Sequence, residues 1–150
     1  MKNFLFIILI FVTVVSTNQA QDQTGKQQKS LYERLGSTEG ITSIVDDVIE
    51  AHMNNPAIKA VFIPYKEQPE RFAKIRQHTI DFFCAGSGGP VEYSGRDMPS
   101  THKGMNISAA EYMAVMEDIM LTLEKHKIDQ QSQSEVLMIL WSLRGMIMGK

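Results

Sequence analysis

The chain has 150 residues, 15 Lys and Arg against 17 Asp and Glu, one cysteine and ten methionines, for a net charge of −2. That size holds one core of ordinary dimensions, and the charge balance leaves no basic block for a phosphate backbone, so nucleic acid is not an expected partner. Cys84 alone cannot close a disulfide within the chain; set among Phe82, Phe83 and Ala85, it reads as a small buried apolar side chain.

Residues 1–20 have the pattern of a cleaved export signal. Lys2 is the positive start, Phe4 to Val15 an apolar run interrupted only by Thr13, and Ser16 to Ala20 a polar end that predicts cleavage after Ala20. The run is shorter than the roughly 20 apolar residues a spanning helix needs, so no stable membrane span is expected after cleavage, and the location is expected to be periplasmic or secreted. Residues 21–29, polar and without apolar periodicity, read as a flexible tether ahead of a folded domain over 30–150.

Within that domain Ser30 to Leu35 predicts a short helix stopped by Gly36, with Ser37 available to cap the next. The second helix carries Ile41, Ile44, Val45, Val48, Ile49 and His52 on one face and ends at Met53-Asn54-Asn55-Pro56. Pro56 to Gln68 reads as an irregular stretch, apolar at Val61, Phe62 and Tyr65 but broken by Pro64. Pro69 suits a first helical position, and the helix it opens runs to Gly86-Ser87-Gly88-Gly89-Pro90. Pro90-Val91 follow the last glycine where a phosphate loop needs Lys and Ser or Thr, so the glycines serve a sharp turn or a close backbone approach to a flat ligand. Ser108-Ala109-Ala110-Glu111 and Ser132-Gln133-Ser134-Glu135 are two capping-box patterns, each opening a helix with an apolar inner face. No stretch alternates at period two; five helical segments make the chain all-α.

The chemistry rests on two of the four histidines. His78 shares a helical column with Ile75 and Phe82, beside Phe72, Thr79 and Phe83, and so points into an apolar cleft. His102 lies in the short segment Pro99 to Gly104 just before a long helix, which can aim one imidazole. His126, beside Lys125 and Lys127, reads as a solvated helix end, and His52 as a pocket residue or a helix-end cation. Met116 and Met120 fall on an apolar face as gap-filling core; Met146 and Met148 form no dense thioether cluster, which leaves soft-metal binding a minor alternative.

Leu31-Tyr32-Glu33-Arg34-Leu35-Gly36, Gly88-Gly89-Pro90, Tyr93-Ser94-Gly95-Arg96-Asp97-Met98 and His102-Lys103-Gly104 with Ile107 resemble, in this order and spacing, the group I truncated haemoglobins. The resemblance runs from about Ser30 to the C-terminus and implies a two-on-two helical sandwich around haem b. It makes His102 the proximal iron ligand, Phe62 an aromatic wedge on the porphyrin, and Phe82, Met98, Ile107 and Tyr112 cavity-lining residues. No Cys-x-x-Cys-His sequence is present, so c-type attachment is not expected. The imidazole's second N–H needs an acceptor, which a backbone carbonyl or Ser100 can supply.

Departures from the family pattern bear on mechanism. Ile49 stands where the family usually has a tyrosine that donates to the bound gas, and Ile75 and Thr79 stand where polar amides are frequent, leaving Thr79 as the short hydroxyl in the distal pocket. His78 stands where some members use a histidine as sixth iron ligand. The resemblance therefore implies a globin that binds dioxygen, nitric oxide or carbon monoxide, with nitric-oxide dioxygenase or peroxidase-like activity only if an outside reductase supplies electrons. The alternatives are a bis-histidine electron-transfer or redox-sensing protein and a helical module that binds a soft metal.

Overall fold

A computed structural model describes residues 28–150; the expected signal and most of the tether lie outside them. The described chain forms seven helices: α1 Leu31–Arg34, α2 Ser37–Asn54, α3 Lys59–Lys66, α4 Pro69–Gly86, α5 Met98–His102, α6 Ala109–Lys125 and α7 Gln130–Ile147. α2 packs on both α4 and α6, and α6 packs on α7, giving two helix pairs laid against each other. Their meeting faces bury Ile41, Val45, Met116, Ile119, Leu123 and Val136. Each such side chain contributes at most about 1.5–3 kcal/mol by leaving water.

Local chemistry fixes the ends. Ser30 and Glu33 satisfy each other's backbone N–H groups in a capping box at α1, and Ser108 and Glu111 do so at α6. Two expected caps fall elsewhere. Ser37 has φ 58° and gives no cap; the Tyr32 hydroxyl instead accepts the Thr38 N–H at 3.1 Å. At α7 the cap is Asp129, three residues before the expected Ser132, and its carboxylate accepts the Ser132 N–H at 3.0 Å. Ser132 is wholly buried: its hydroxyl donates to Asp129 at 2.6 Å and accepts from Arg34 Nε at 2.8 Å, tying α1 to α7.

Two short helices form where the sequence reading placed none. Pro56 to Gln68 contains α3, which tolerates Pro64 because the helix is only eight residues long and ends two residues later. None of the side chains of α3 is buried. The segment before Gly104 contains α5, capped by Asp97, whose side chain accepts the Ser100 N–H at 2.7 Å, with Pro99 in its first turn. His126 is also more engaged than a solvated helix end. Its Nε2 lies 2.7 Å from Asp47, which Lys125 approaches at 2.9 Å, and the hydrogen bonds of Lys125 first and His126 second hold the Asp47 carboxyl below its usual range. Among the described residues, no helix is long and apolar enough to cross a membrane.

Candidate functional site

A cavity of about 550 Å³ opens between α4 and the segment leading into α5. From α4 it is lined by Arg71, Lys74, Ile75 and His78, one helical face at spacings of three, four and seven; from the facing segment come Tyr93 to Arg96 and Thr101. Its volume falls in the range of ligand sites, roughly 300–1,000 Å³. Sequence reasoning identified Ile75 and His78 but not the three cations Arg71, Lys74 and Arg96. The first two could have been read from their helical column with His78.

His102 ends α5 with Nδ1 2.8 Å from the Met98 carbonyl oxygen. In the tautomer this contact favours, Nδ1–H donates and Nε2 keeps its lone pair, the form in which an imidazole binds a metal. Of the two acceptors expected, the backbone carbonyl is the one used. The chain just beyond is pinned as well: Gly104 and Asn106 N–H donate to the Lys150 carbonyl at 2.9 and 3.0 Å, and Gly149 N–H donates to Ile107 at 3.0 Å.

His78 has no such support. Its Nδ1 is buried and makes no hydrogen bond among the described residues, an uncommon condition that marks a missing partner. Its ring meets Tyr93 edge-on, centroids 6.2 Å apart, and Tyr93 also meets Phe82 at 5.4 Å. Gly95 permits this arrangement, since a Cβ there would lie 2.3 Å from the Tyr93 ring. Thr79 is less available as a donor than its sequence suggests, because its hydroxyl donates to the Ile75 carbonyl of its own helix at 2.9 Å.

Of the expected residues, Ile75 and His78 line the cavity; His102 follows the lining residue Thr101 but is not itself in the lining, nor are Thr79, Phe82 and those that follow. Ile49, Met98 and Ile107 pack, partly buried, on the core. Tyr112 is buried and donates its hydroxyl to the Leu140 carbonyl at 2.5 Å; burial pushes its phenol pKa up. Phe62, on α3, stacks on His52 with centroids 4.9 Å apart. The glycine turn makes its close approach to protein: at Gly89 a Cβ would come within 2.6 Å of the Tyr32 ring and 2.8 Å of the Cys84 carbonyl. Cys84 is fully buried with a free thiol, its pKa raised by desolvation.

Sequence reasoning also missed a buried polar set behind α3. His52 Nδ1 lies 2.9 Å from Asp118 Oδ2, and Asn55 Nδ2 donates to Asp118 Oδ1 at 2.9 Å. An acid on the inward face of α6 opposite a histidine on the inward face of α2 was the available signal.

Two packed helix pairs, a cavity between α4 and the segment leading into α5, and a backbone-oriented histidine at the end of α5 fit an all-α globin of the shortened, two-on-two kind. Residues 30–148 match the model of the bacterial-like globin family, and the chain belongs to that family. Among its relatives, the group 1 truncated hemoglobin of Synechocystis is 30% identical over 111 residues, covering 71% of this chain and 86% of the relative. The Tetrahymena thermophila group 1 truncated hemoglobin is 26% identical, covering 83% and 99%. The crystal structure of the Fe(III) truncated hemoglobin of Tetrahymena pyriformis superposes with a TM-score of 0.73 over 81% of this chain and 100% of its own, at 23% identity. The 2/2 hemoglobin of Synechococcus, in a cyanomet form with covalently attached heme, gives 0.68 over 77% and 94%, at 25% identity.

Proposed function

We propose that this truncated haemoglobin would hold haem b through His102 and bind diatomic gases, dioxygen, nitric oxide or carbon monoxide. The observation that carries the reading is the His102 Nδ1 contact to the Met98 carbonyl, which leaves Nε2 as the donor atom on an imidazole that cannot rotate freely. The other residues fit the group. Arg71, Lys74 and Arg96 line the cavity and suit the carboxylates of a porphyrin, and Ile75 and Tyr93 supply apolar wall. Bound haem supplies an iron centre with one position for a small ligand. Ile49 offers that position no hydrogen bond, and the Thr79 hydroxyl is engaged within α4, so the chain gives a bound gas little polar stabilisation.

A second reading, a bis-histidine protein that passes or senses electrons, is favoured by the unpartnered Nδ1 of His78 on the cavity wall. Absorption spectra of the purified protein in ferric, ferrous and carbon-monoxide forms test both. A low-spin ferric spectrum whose reduced form stays closed to carbon monoxide selects the second reading; a reduced form that admits carbon monoxide supports the first; no Soret band after haem addition overturns both.

Export belongs to the same proposal, supported by Lys2, the apolar run Phe4 to Val15 and the small residue Ala20. Produced with its own leader in a Gram-negative host, the mature chain is expected to begin at Gln21 or within a few residues. Recovery only of full-length, membrane-bound protein overturns this.

A further inference from the structure

His52 and Asp118 form a buried pair that neither the haem site nor the helix caps require. His52 is 5% exposed and Asp118 9%, between α2 and α6. Asp118 accepts from two donors, His52 Nδ1 on one oxygen and Asn55 Nδ2 on the other. Both donors lead to α3. The Asn55 backbone carbonyl accepts the N–H groups of Ile58 and Lys59 at 3.1 and 2.8 Å, and its side-chain oxygen accepts the Ala57 N–H at 3.0 Å, so Asn55 sets the turn that launches the helix. His52 carries the Phe62 ring, tilted 32° at 4.9 Å, from the middle of α3.

α3 needs such support because it holds little of its own. None of its eight side chains is buried, Ile63 is 44% exposed, and Pro64 removes a backbone donor. Apart from Ile58 just before it and the Arg71 guanidinium over Tyr65, the specific contacts that place its N-terminal turn and its Phe62 ring run to the Asp118 set.

We propose that His52 and Asp118 are positioning residues for α3: through Asn55 and the Phe62 ring they set this helix, whose Tyr65 ring lies under the cavity-lining Arg71 at 4.9 Å, and so govern how long haem is retained. The haem part rests on the function proposed above, while the positioning of α3 does not. A buried pair that only glued α2 to α6 would affect global stability alone. Replacing both members by apolar residues separates the two roles, because it removes the unpaired polar group that makes each single change costly but does not restore the turn and ring contacts.

The experiment uses the full mature chain and the variants His52→Leu, Asp118→Leu and their combination. In the double variant, thermal unfolding of the haem-free protein is expected to return toward the parent from the lowered values of the single variants. Proteolytic cleavage within Lys59–Lys66 of that haem-free protein is expected to stay about tenfold faster than in the parent, with haem transfer to excess apomyoglobin accelerated by a similar factor. Parent-like cleavage of α3 in the double variant overturns the positioning role. Faster cleavage with parent-like haem transfer overturns the link to haem retention. A parent that takes up no haem overturns the proposed function, and the cleavage rates still decide the role of the pair in placing α3.

Discussion

The two histidines proposed to face the haem differ in how the chain holds them. His102 ends a five-residue helix, spends Nδ1–H on the Met98 carbonyl, and is followed by a loop pinned to residues 149 and 150. His78 lies in the middle of an 18-residue helix, yet its ring has no hydrogen bond among the described residues and touches Tyr93 only by its edge. The regular helix thus carries the loosely held side chain and the short one carries the fixed side chain. What orients a ligand residue is the partner of its second nitrogen, not the length of the element beneath it. A fixed imidazole suits a permanent bond to iron, and an unfixed one suits a bond that an entering gas can displace.

The sharpest way to break the comparison is His102→Ala. Haem affinity is expected to fall by more than the ~10–100-fold that loss of a second-shell partner costs at metal sites, read by haem transfer to a scavenger protein. Unchanged retention with an unchanged ferrous spectrum would remove His102 from the proximal role. His78→Leu acts on the other side. It is expected to convert low-spin ferric protein to high-spin and to speed carbon monoxide binding, roughly tenfold if His78 fills the position in about nine-tenths of molecules. A parent already high-spin and indifferent to the change would place His78 away from the iron.

Smaller effects refine the distal side. Ile49→Tyr supplies the hydroxyl of the family pattern at a core-packed position and is expected to slow dioxygen release several-fold, the worth of one hydrogen bond at about 0.5–1.5 kcal/mol. An unaltered release rate would show that this position does not reach the ligand. Gly95→Ala puts a Cβ 2.3 Å from the Tyr93 ring and must displace it from His78 and Phe82. A loss of about 1–3 kcal/mol of stability is expected in denaturant titrations, together with a shift in the His78-dependent spectrum.

His52 supplies the smallest and third case, an imidazole buried on both faces. Burial lowers its pKa below the ordinary 6.5 more strongly than Asp118 raises it. The unfolded chain therefore binds a proton that the folded chain resists. The stability of the haem-free protein is expected to be full above pH 6.5 and to decline as pH falls from there toward the lower folded value. His52→Leu should flatten that slope in urea titrations across this window; a slope equal to the parent's would assign it to other groups.

Much of this was legible in residue order. Periodicity placed α2, α4, α6 and α7, because a helix that buries one face must repeat its apolar residues at three and four. The Ser108–Glu111 box marked the start of α6 because both of its bonds close within one turn. Where two caps compete within a few residues the sequence misled: Asp129 and Ser132 both suit an N-cap, and burial of Ser132 under Arg34 decides for Asp129. Tyr32 displaced Ser37 for a similar reason, since its hydroxyl arrives from the preceding helix, folded back across the Gly36 turn.

The sequence by itself determined the all-α class and the helix periods, each of which depends on neighbours within one or two turns, and it singled out His78 and His102 for the proposed site. Only the tertiary structure decided that Met98 orients His102, that His78 lacks a partner, that Arg71, Lys74 and Arg96 share one cavity, and that Asp118 meets His52 across 66 positions. The physical reason is range. A cap or an apolar stripe is closed by local backbone geometry, whereas a hydrogen bond between α2 and α6, or its absence at His78, depends on how whole helices pack.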